Sequence, residues 1–426
     1  MKSMKPVMET LIREMDIRNA LWCSHARLVY VRGNGALHTE AVEVPDDTYG
    51  SRTLMQVLLG DVPLVQINSP ACPTCESLLT TGYGIDKADC PQLRQIGDAI
   101  NADFIDLDTS IAILSPLLGL LQSGLYVIAD AICYPTDGNG NFFWSVPNQP
   151  TINPATAVFL GADDYQYIDG QPVFIYPTQS TKCYSEERVQ FYTNRFQKTD
   201  RRPRAILYSC MEFISLLLDG HHKACASALL GESVPCITII PFSGYQHTFA
   251  EGKPQSEMLT FSSLQAPIRD IPKRYLPDTE STSKRRSRRE VLFEESSLID
   301  REWEQKFIAS AGLYPTVEEY AQMAAAKVDQ VTDELMHTCL DDLSGDHIRQ
   351  MKGMLMLLAR AKDSRTKPAA LRCARQQADY KLKLLAFKVL NAIKEDAEIE
   401  QFFVDYLLEN RDAHSLLVQI ANRYWD

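Results

Sequence analysis

Over the first 245 residues the apolar positions come in short alternating or unbroken runs, at 27–31, 41–44 and 63–67. This is the period of buried strands rather than of amphipathic helices. Gly33-Asn34-Gly35 supplies a turn between the first two runs. A second block, 111–132, joins the apolar Pro116-Leu117-Leu118-Gly119-Leu120-Leu121 to a strand-like run at 125–132. The turn-rich stretch 134–141 follows and is closed by Phe142-Phe143-Trp144. Prolines and polar turns then dominate 145–205 around one strand-like segment at 172–176. From 205 to 241 the pattern gives a helix or strand, a glycine corner, a helix over 224–230 and a strand at 235–240.

Beyond 242 the chain becomes rich in Ser, Pro, Glu and Lys, and 284–289 carries five basic residues out of six. This stretch reads as an exposed linker, and its basic run as a solvated hinge. Nucleic acid or an acidic partner is the alternative use of that run. From 300 onward strands give way to a helical period with a repeat. Asp346, Asp379 and Asp412 lie 33 residues apart, and Phe307, Leu340, Cys373 and Tyr406 align at the same interval, as do Trp303, Met336, Ala369 and Phe402. An Asp between two helices can accept hydrogen bonds from the amides that open the second, which gives the recurrence a physical reason. Four amphipathic helical hairpins are predicted, each burying a face on the next. The period and helix pairing resemble HEAT-like repeats, which implies a surface for a protein partner; an ordinary helical bundle is the alternative.

Composition narrows the class. An apolar fraction of 45% with 23% charged residues is that of a globular chain, and 426 residues exceed one ordinary core. A net charge of −12 disfavours generic binding to nucleic acid or anionic lipid, and no window approaches the roughly 18 uncharged apolar residues of a membrane helix. Residues 1–13 lack a secretory apolar core, so a cytoplasmic setting is expected, with the eleven cysteines reduced.

The chemistry concentrates at Asp219-Gly220-His221-His222-Lys223, between the apolar run 213–218 and the helix over 224–230. Glycine permits a sharp turn from strand to helix, and the first free amides of that helix point outward with the positive end of its dipole. Two imidazoles and an ammonium add donors and charge, so a phosphate or carboxylate is the expected guest. A catalytic use would make His221 or His222 a general acid or base and Lys223 a stabiliser of a transferred phosphoryl group. The bland alternative is a turn and cap with solvated histidines.

Over 206–241 this order of strand, Gly-containing motif, helix and strand resembles the ParB and sulfiredoxin superfamily. The resemblance implies nucleotide or phosphoester binding, with hydrolase or phosphotransfer activity in range. It assigns phosphate contacts to Gly220, His221, His222 and Lys223, with Asp219 orienting a donor or approaching a metal. His221 stands where sulfiredoxins have cysteine, so their sulfur chemistry has no nucleophile here. Lys223 replaces the usual arginine, keeping the charge but losing bidentate recognition.

Cys72-Pro73-Thr74-Cys75 brings two thiols within reach of one ion, and Cys23-Ser24-His25 offers a second pair, so Cys23, His25, Cys72 and Cys75 are the candidate ligands of a structural zinc. A redox dithiol ahead of a helix at 76–79, ended by Thr81-Gly82-Tyr83-Gly84, is one alternative and buried cysteines another. The loop 135–141 alternates Asp137, Asn139 and Asn141 with glycine, but lacks the later acidic ligands of a calcium loop and reads as a hairpin turn. With Phe142, Phe143 and Trp144 it could wall the glycine corner.

The predicted fold class is α+β: a mixed α/β region at 1–110 with a zinc knuckle, a ParB-like α/β domain at 111–245, an exposed linker at 246–299 and an all-α repeat domain at 300–426. The functional expectation is a nucleotide or phosphoester binder using the glycine corner. Its alternative is a non-catalytic adaptor whose helical repeats hold a protein partner.

Overall fold

The computed structural model describes residues 8–17, 20, 22–46, 50–69, 77–81, 90–135, 142–145, 157–158, 171–211, 214–250, 253–276, 306–307, 314–315, 320, 331–376, 379–410, 412 and 415–425. The chain divides into two compact units, Met1–Pro315 and Thr316–Asp426. The first is mixed α/β and the second is helical.

The first unit opens with β1 (Met8–Ile12) and β2 (Cys23–Val31), followed by β3 (Leu37–Asp46), β4 (Gly50–Leu59), β5 (Val62–Ser69) and β6 (Ser77–Thr81). Helices α1 (Pro91–Ile100) and α2 (Leu107–Leu118) precede β7 (Gly124–Cys133), β8 (Ala157–Val158) and β9 (Phe174–Pro177). Then come α3 (Glu186–Phe196), the hairpin of β10 (Ala205–Met211) and β11 (Ile214–Asp219), α4 (His221–Leu230) and β12 (Val234–Pro241). The unit's last strands are β13 (Gly244–Ala250), β14 (Lys253–Phe261) and β15 (Leu264–Pro267).

A seven-stranded sheet of order β1-β2-β7-β12-β10-β11-β9 forms the centre of this unit. It is mixed: β10 runs parallel to β12 and β11 parallel to β9, while the other neighbours are antiparallel. β7 and β12 lie in its interior, and this explains why they read as nearly unbroken apolar runs. Val127, Ile128 and Ala129 are buried on successive positions, as are Ile237, Thr238 and Ile239. The order puts β1 and β2, from before residue 110, into one sheet with strands from after it.

Strands β3 to β6 form an antiparallel meander with β8 added at its edge. Here the expected helix at 76–79 is corrected, because Leu78 and Leu79 pair with Asn68 and Ile67 of β5. The open backbone edge of β5 offers this segment ladder hydrogen bonds, and a redox dithiol followed by a helix no longer describes it. Gly33 joins the two sheets at a close approach. A Cβ there would lie 1.8 Å from the Leu121 carbonyl oxygen, and the neighbouring Asn34 and Gly35 amides donate to Gly119 and Leu121.

A three-stranded antiparallel sheet, β13-β14-β15, occupies 244–267, so the first part of the stretch read as linker is folded. Polar residues such as those of Lys253–Phe261 hide a strand from an apolar pattern, and pairing with its neighbours, with a tight reversal at 262–263, sets it instead. The basic run 284–289 lies outside the described residues.

Among the described residues of the second unit six helices pair in sequence: α5 (Asp333–Asp341) with α6 (Gly345–Arg360), α7 (Thr366–Arg375) with α8 (Tyr380–Asn391), and α9 (Ala397–Glu409) with α10 (Leu416–Asn422). Leu340, Cys373 and Tyr406 occupy the first helix of each pair, as the 33-residue interval predicts. Phe387 of α8 meets Phe403 and Tyr406 of α9 edge-on, with ring centroids 5.6 and 4.7 Å apart. The recurring aspartates differ in role. Asp379 caps α8 by accepting the Leu382 amide at 2.6 Å, whereas Asp346 sits exposed inside the first turn of α6.

Candidate functional site

The turn into α4 depends on Gly220, whose φ of +107° lies in the left-handed region and whose missing Cβ would stand 2.7 Å from Ala205 Cβ. Both reasons exclude other residues there. The helix that follows, His-His-Lys-Ala-Cys-Ala-Ser-Ala, is buried on all sides, and its small residues let it pack closely on α3, where Ala226 meets Tyr192 and Phe196.

The three polar side chains of the motif turn inward. Lys223 is 2% exposed, and its ammonium donates to the Ile100 carbonyl (3.3 Å), the Arg204 carbonyl (3.0 Å) and Asp219 Oδ2 (3.1 Å). It therefore ties the end of α1, the start of β10 and the end of β11 to α4. Arg204 is itself held by a bidentate pair with Asp130 of β7, at 2.8 and 3.1 Å. Burial pushes the Asp219 carboxyl up, but the Lys223 charge and hydrogen bond more than reverse this and hold it below its usual value.

The imidazoles act as acceptors. His221 Nε2 receives the amides of Thr178 (3.2 Å) and Gln179 (3.3 Å), and His222 Nε2 receives that of Ser185 (3.0 Å). Burial pushes His221 down to about 3 against the pull of Asp219. Burial, followed by the charge of Arg188, takes His222 to about 4. Both rings are thus neutral at pH 7 and pin the loop between β9 and α3 onto the head of α4. Trp144 packs beside them, its ring centroid 5.0 Å from that of His221 and 5.7 Å from that of His222, and its indole N–H donates to the Gln179 carbonyl at 2.7 Å. Phe143 also approaches His221, with ring centroids 6.3 Å apart, so part of the aromatic run 142–144 packs on the histidines without lining the cavity over the corner. The residues of the turn-rich loop at 136–141 lie outside the described set.

A cavity of about 370 Å³ opens over this corner, bordered by Asp219, Gly220, His221, His222 and Lys223. Arg94 and Asn101 of the α1 segment and Arg188 and Tyr192 of α3 complete its polar wall. No side chain caps α4, and the amides of His221, His222 and Lys223 have no partner among the described residues. Such amides point out of a helix start and favour anions. The charge facing them comes from Arg94 and Arg188. Sequence reasoning missed both, because α1 and α3 reach the corner only through the tertiary fold. Asn101 accepts the Tyr192 hydroxyl through Oδ1 at 2.9 Å.

Of the expected metal ligands, Cys23 and His25 fall among the described residues. Cys23 is buried at the head of β2, its thiol donating to the His25 carbonyl at 3.4 Å, while His25 is exposed beyond a bulge. Cys72 and Cys75 lie outside the described residues. Among the described residues no three His, Cys, Asp or Glu side chains gather in a metal-binding group. No helix among them is long and apolar enough to cross a membrane.

Comparison with family models, curated proteins and solved structures finds no match to this chain.

Proposed function

We propose that the α/β unit binds a nucleotide or another phosphoester in the cavity over α4. The phosphate sits on the amides of His221, His222 and Lys223 and is neutralised by Arg188 and Arg94. The observation that carries this is the coincidence of an uncapped helix start, two arginines and a polar cleft in one place. The order β11, glycine corner, α4, β12 agrees with what a ParB-like arrangement implies, and the three successive helical pairs agree with a HEAT-like tail.

In this reading His221 and His222 position the 178–185 loop and do not carry protons, since each Nε2 is engaged by backbone amides. Lys223 is a structural anchor, so its removal would test folding rather than binding. The informative change is Arg188→Ala, which alters an exposed side chain. Calorimetry on the full chain should detect at least one nucleotide or phosphorylated metabolite, and Arg188→Ala should weaken it by about 10- to 100-fold, the worth of one charge-assisted contact. Absence of any phosphorylated ligand, or unchanged affinity in the variant, would overturn the reading.

A further inference from the structure

We propose that Asp219 sets which phosphorylated compounds this cavity accepts: it selects those that carry a hydroxyl or an ammonium group close to the phosphate. The inference rests on the phosphate reading above and concerns what the phosphate is attached to.

Among the described residues that line the cavity, Asp219 is the one acid, and it borders the same space as Arg94, Arg188 and the first residues of α4. The chain fixes its place: it ends β11 and immediately precedes Gly220, whose φ of +107° turns the backbone into α4. Carboxylate and opening amides therefore share one corner. Oδ2 accepts from the Lys223 ammonium at 3.1 Å. Oδ1 makes no hydrogen bond among the described residues, yet packing does not seal it off, and the side chain keeps 31% of its surface accessible. The other polar groups of the motif are already engaged, since Lys223 is buried on three acceptors and each histidine Nε2 receives backbone amides. Lys223 holds the Asp219 carboxyl below its usual value against the effect of burial, so the group is ionised at pH 7. An ionised carboxylate has lone pairs and no proton to give, and the same is true of a fully ionised phosphate. In one cleft the two repel unless the ligand brings a donor to the carboxylate. A hydroxyl or ammonium does so and gains a charge-assisted hydrogen bond. A volume of about 370 Å³ leaves room beyond the phosphate for the group that carries it. The hydroxyls of a sugar phosphate and the amine of a phosphorylated amino alcohol both supply this chemistry.

The test uses the full chain in EDTA at pH 7 and calorimetry with inorganic phosphate, n-propyl phosphate, 2-hydroxyethyl phosphate and phosphoethanolamine. The three esters are nearly isosteric and differ in a terminal methyl, hydroxyl or ammonium. At least one donor-bearing ester should bind about tenfold or more tightly than the propyl ester, the worth of a hydrogen bond to a charged group, and which one does so separates a hydroxyl partner from an ammonium. In Asp219→Asn, which can still accept from Lys223, that preference should shrink to within about twofold. Propyl phosphate and inorganic phosphate should bind the variant as well or better, because a like charge has gone. A merely structural role would instead weaken all four alike, and that result would overturn the assignment. The esters can be compared on the unsubstituted chain alone, so the question stays decidable if the variant folds poorly. A propyl ester bound as tightly as both donor-bearing esters would overturn the role of Asp219 and leave the phosphate site standing. A preference that appears only on adding Mg²⁺ would give the carboxylate to a cation and overturn it equally. If no ester binds while a nucleotide or other phosphorylated metabolite does, the selection by Asp219 falls and the site remains; if nothing phosphorylated binds, both readings fall together.

Discussion

Two histidines that look from the sequence like exposed donors are, in the fold, buried acceptors of backbone amides. The reversal has a measurable cost in acid. An unfolded imidazole titrates near 6.5, and the folded ones are held at about 3 and about 4. Below pH 6.5 the unfolded chain therefore binds protons that the folded chain refuses, and stability falls with pH until the folded values are passed. Between pH 6.5 and pH 5 the loss is about 2 kcal/mol for each imidazole. Asp219 acts in a different window: its lowered value contributes stability above its unfolded value near 3.9, lost only in stronger acid. Urea midpoints should thus drop steeply from pH 7 to pH 5, and the drop should shrink in a chain carrying His221→Gln and His222→Gln. A flat profile for the unsubstituted chain over that interval would contradict the buried, neutral rings. At this scale the motif itself was legible, since a glycine between a strand and a helix needs only local sequence to be recognised. The direction of its side chains was not, because it depends on the 178–185 loop and on Trp144.

Among the elements, those most legible in the sequence are the ones whose burial imposes a pattern. β7 and β12 are covered on both faces and read as apolar runs, and β9 shows itself the same way with four buried residues in a row. Strands β4, β6 and β13–β15 were missed because neighbouring strand edges and tight turns, rather than apolar alternation, fix their pairing. The helical repeat offers a sharp contrast between positions that look equivalent. Asp379 accepts the Leu382 amide and lies 3.1 Å from the Lys352 ammonium, while Asp346 is exposed within the first turn of a helix capped at Ser344. Asp379→Ala should cost about 1 kcal/mol, the usual worth of a helix cap, and Asp346→Ala should stay within about 0.5 kcal/mol. Denaturation of the two variants side by side checks this; equal losses would mean that the 33-residue recurrence, rather than local cap geometry, governs stability.

For the whole molecule, the boundary between units cuts across the repeat read from the sequence. Phe307 aligns with Leu340, Cys373 and Tyr406, yet its ring stacks on Phe142 at 4.5 Å and 6° within the first unit. The adjoining Lys306 pairs with Glu186 of α3. A periodic position says which residue faces a core but not which core receives it. Phe307→Ala should therefore lower the transition of the α/β unit by about 3–5 kcal/mol and leave that of the helical unit in place, as scanning calorimetry can resolve. A downward shift confined to the helical transition would return Phe307 to the repeat. The chain order of the central sheet carries a consequence for biosynthesis. β2 and β7 are neighbours in space, but residues 32–123 are made between them, and the β3–β6 meander can pair locally meanwhile. Until residues 124–133 leave the ribosome, one side of β2 awaits its partner. During that interval its backbone groups are open to strands of other nascent chains, so the rate of translation through this stretch bears on the yield of folded protein.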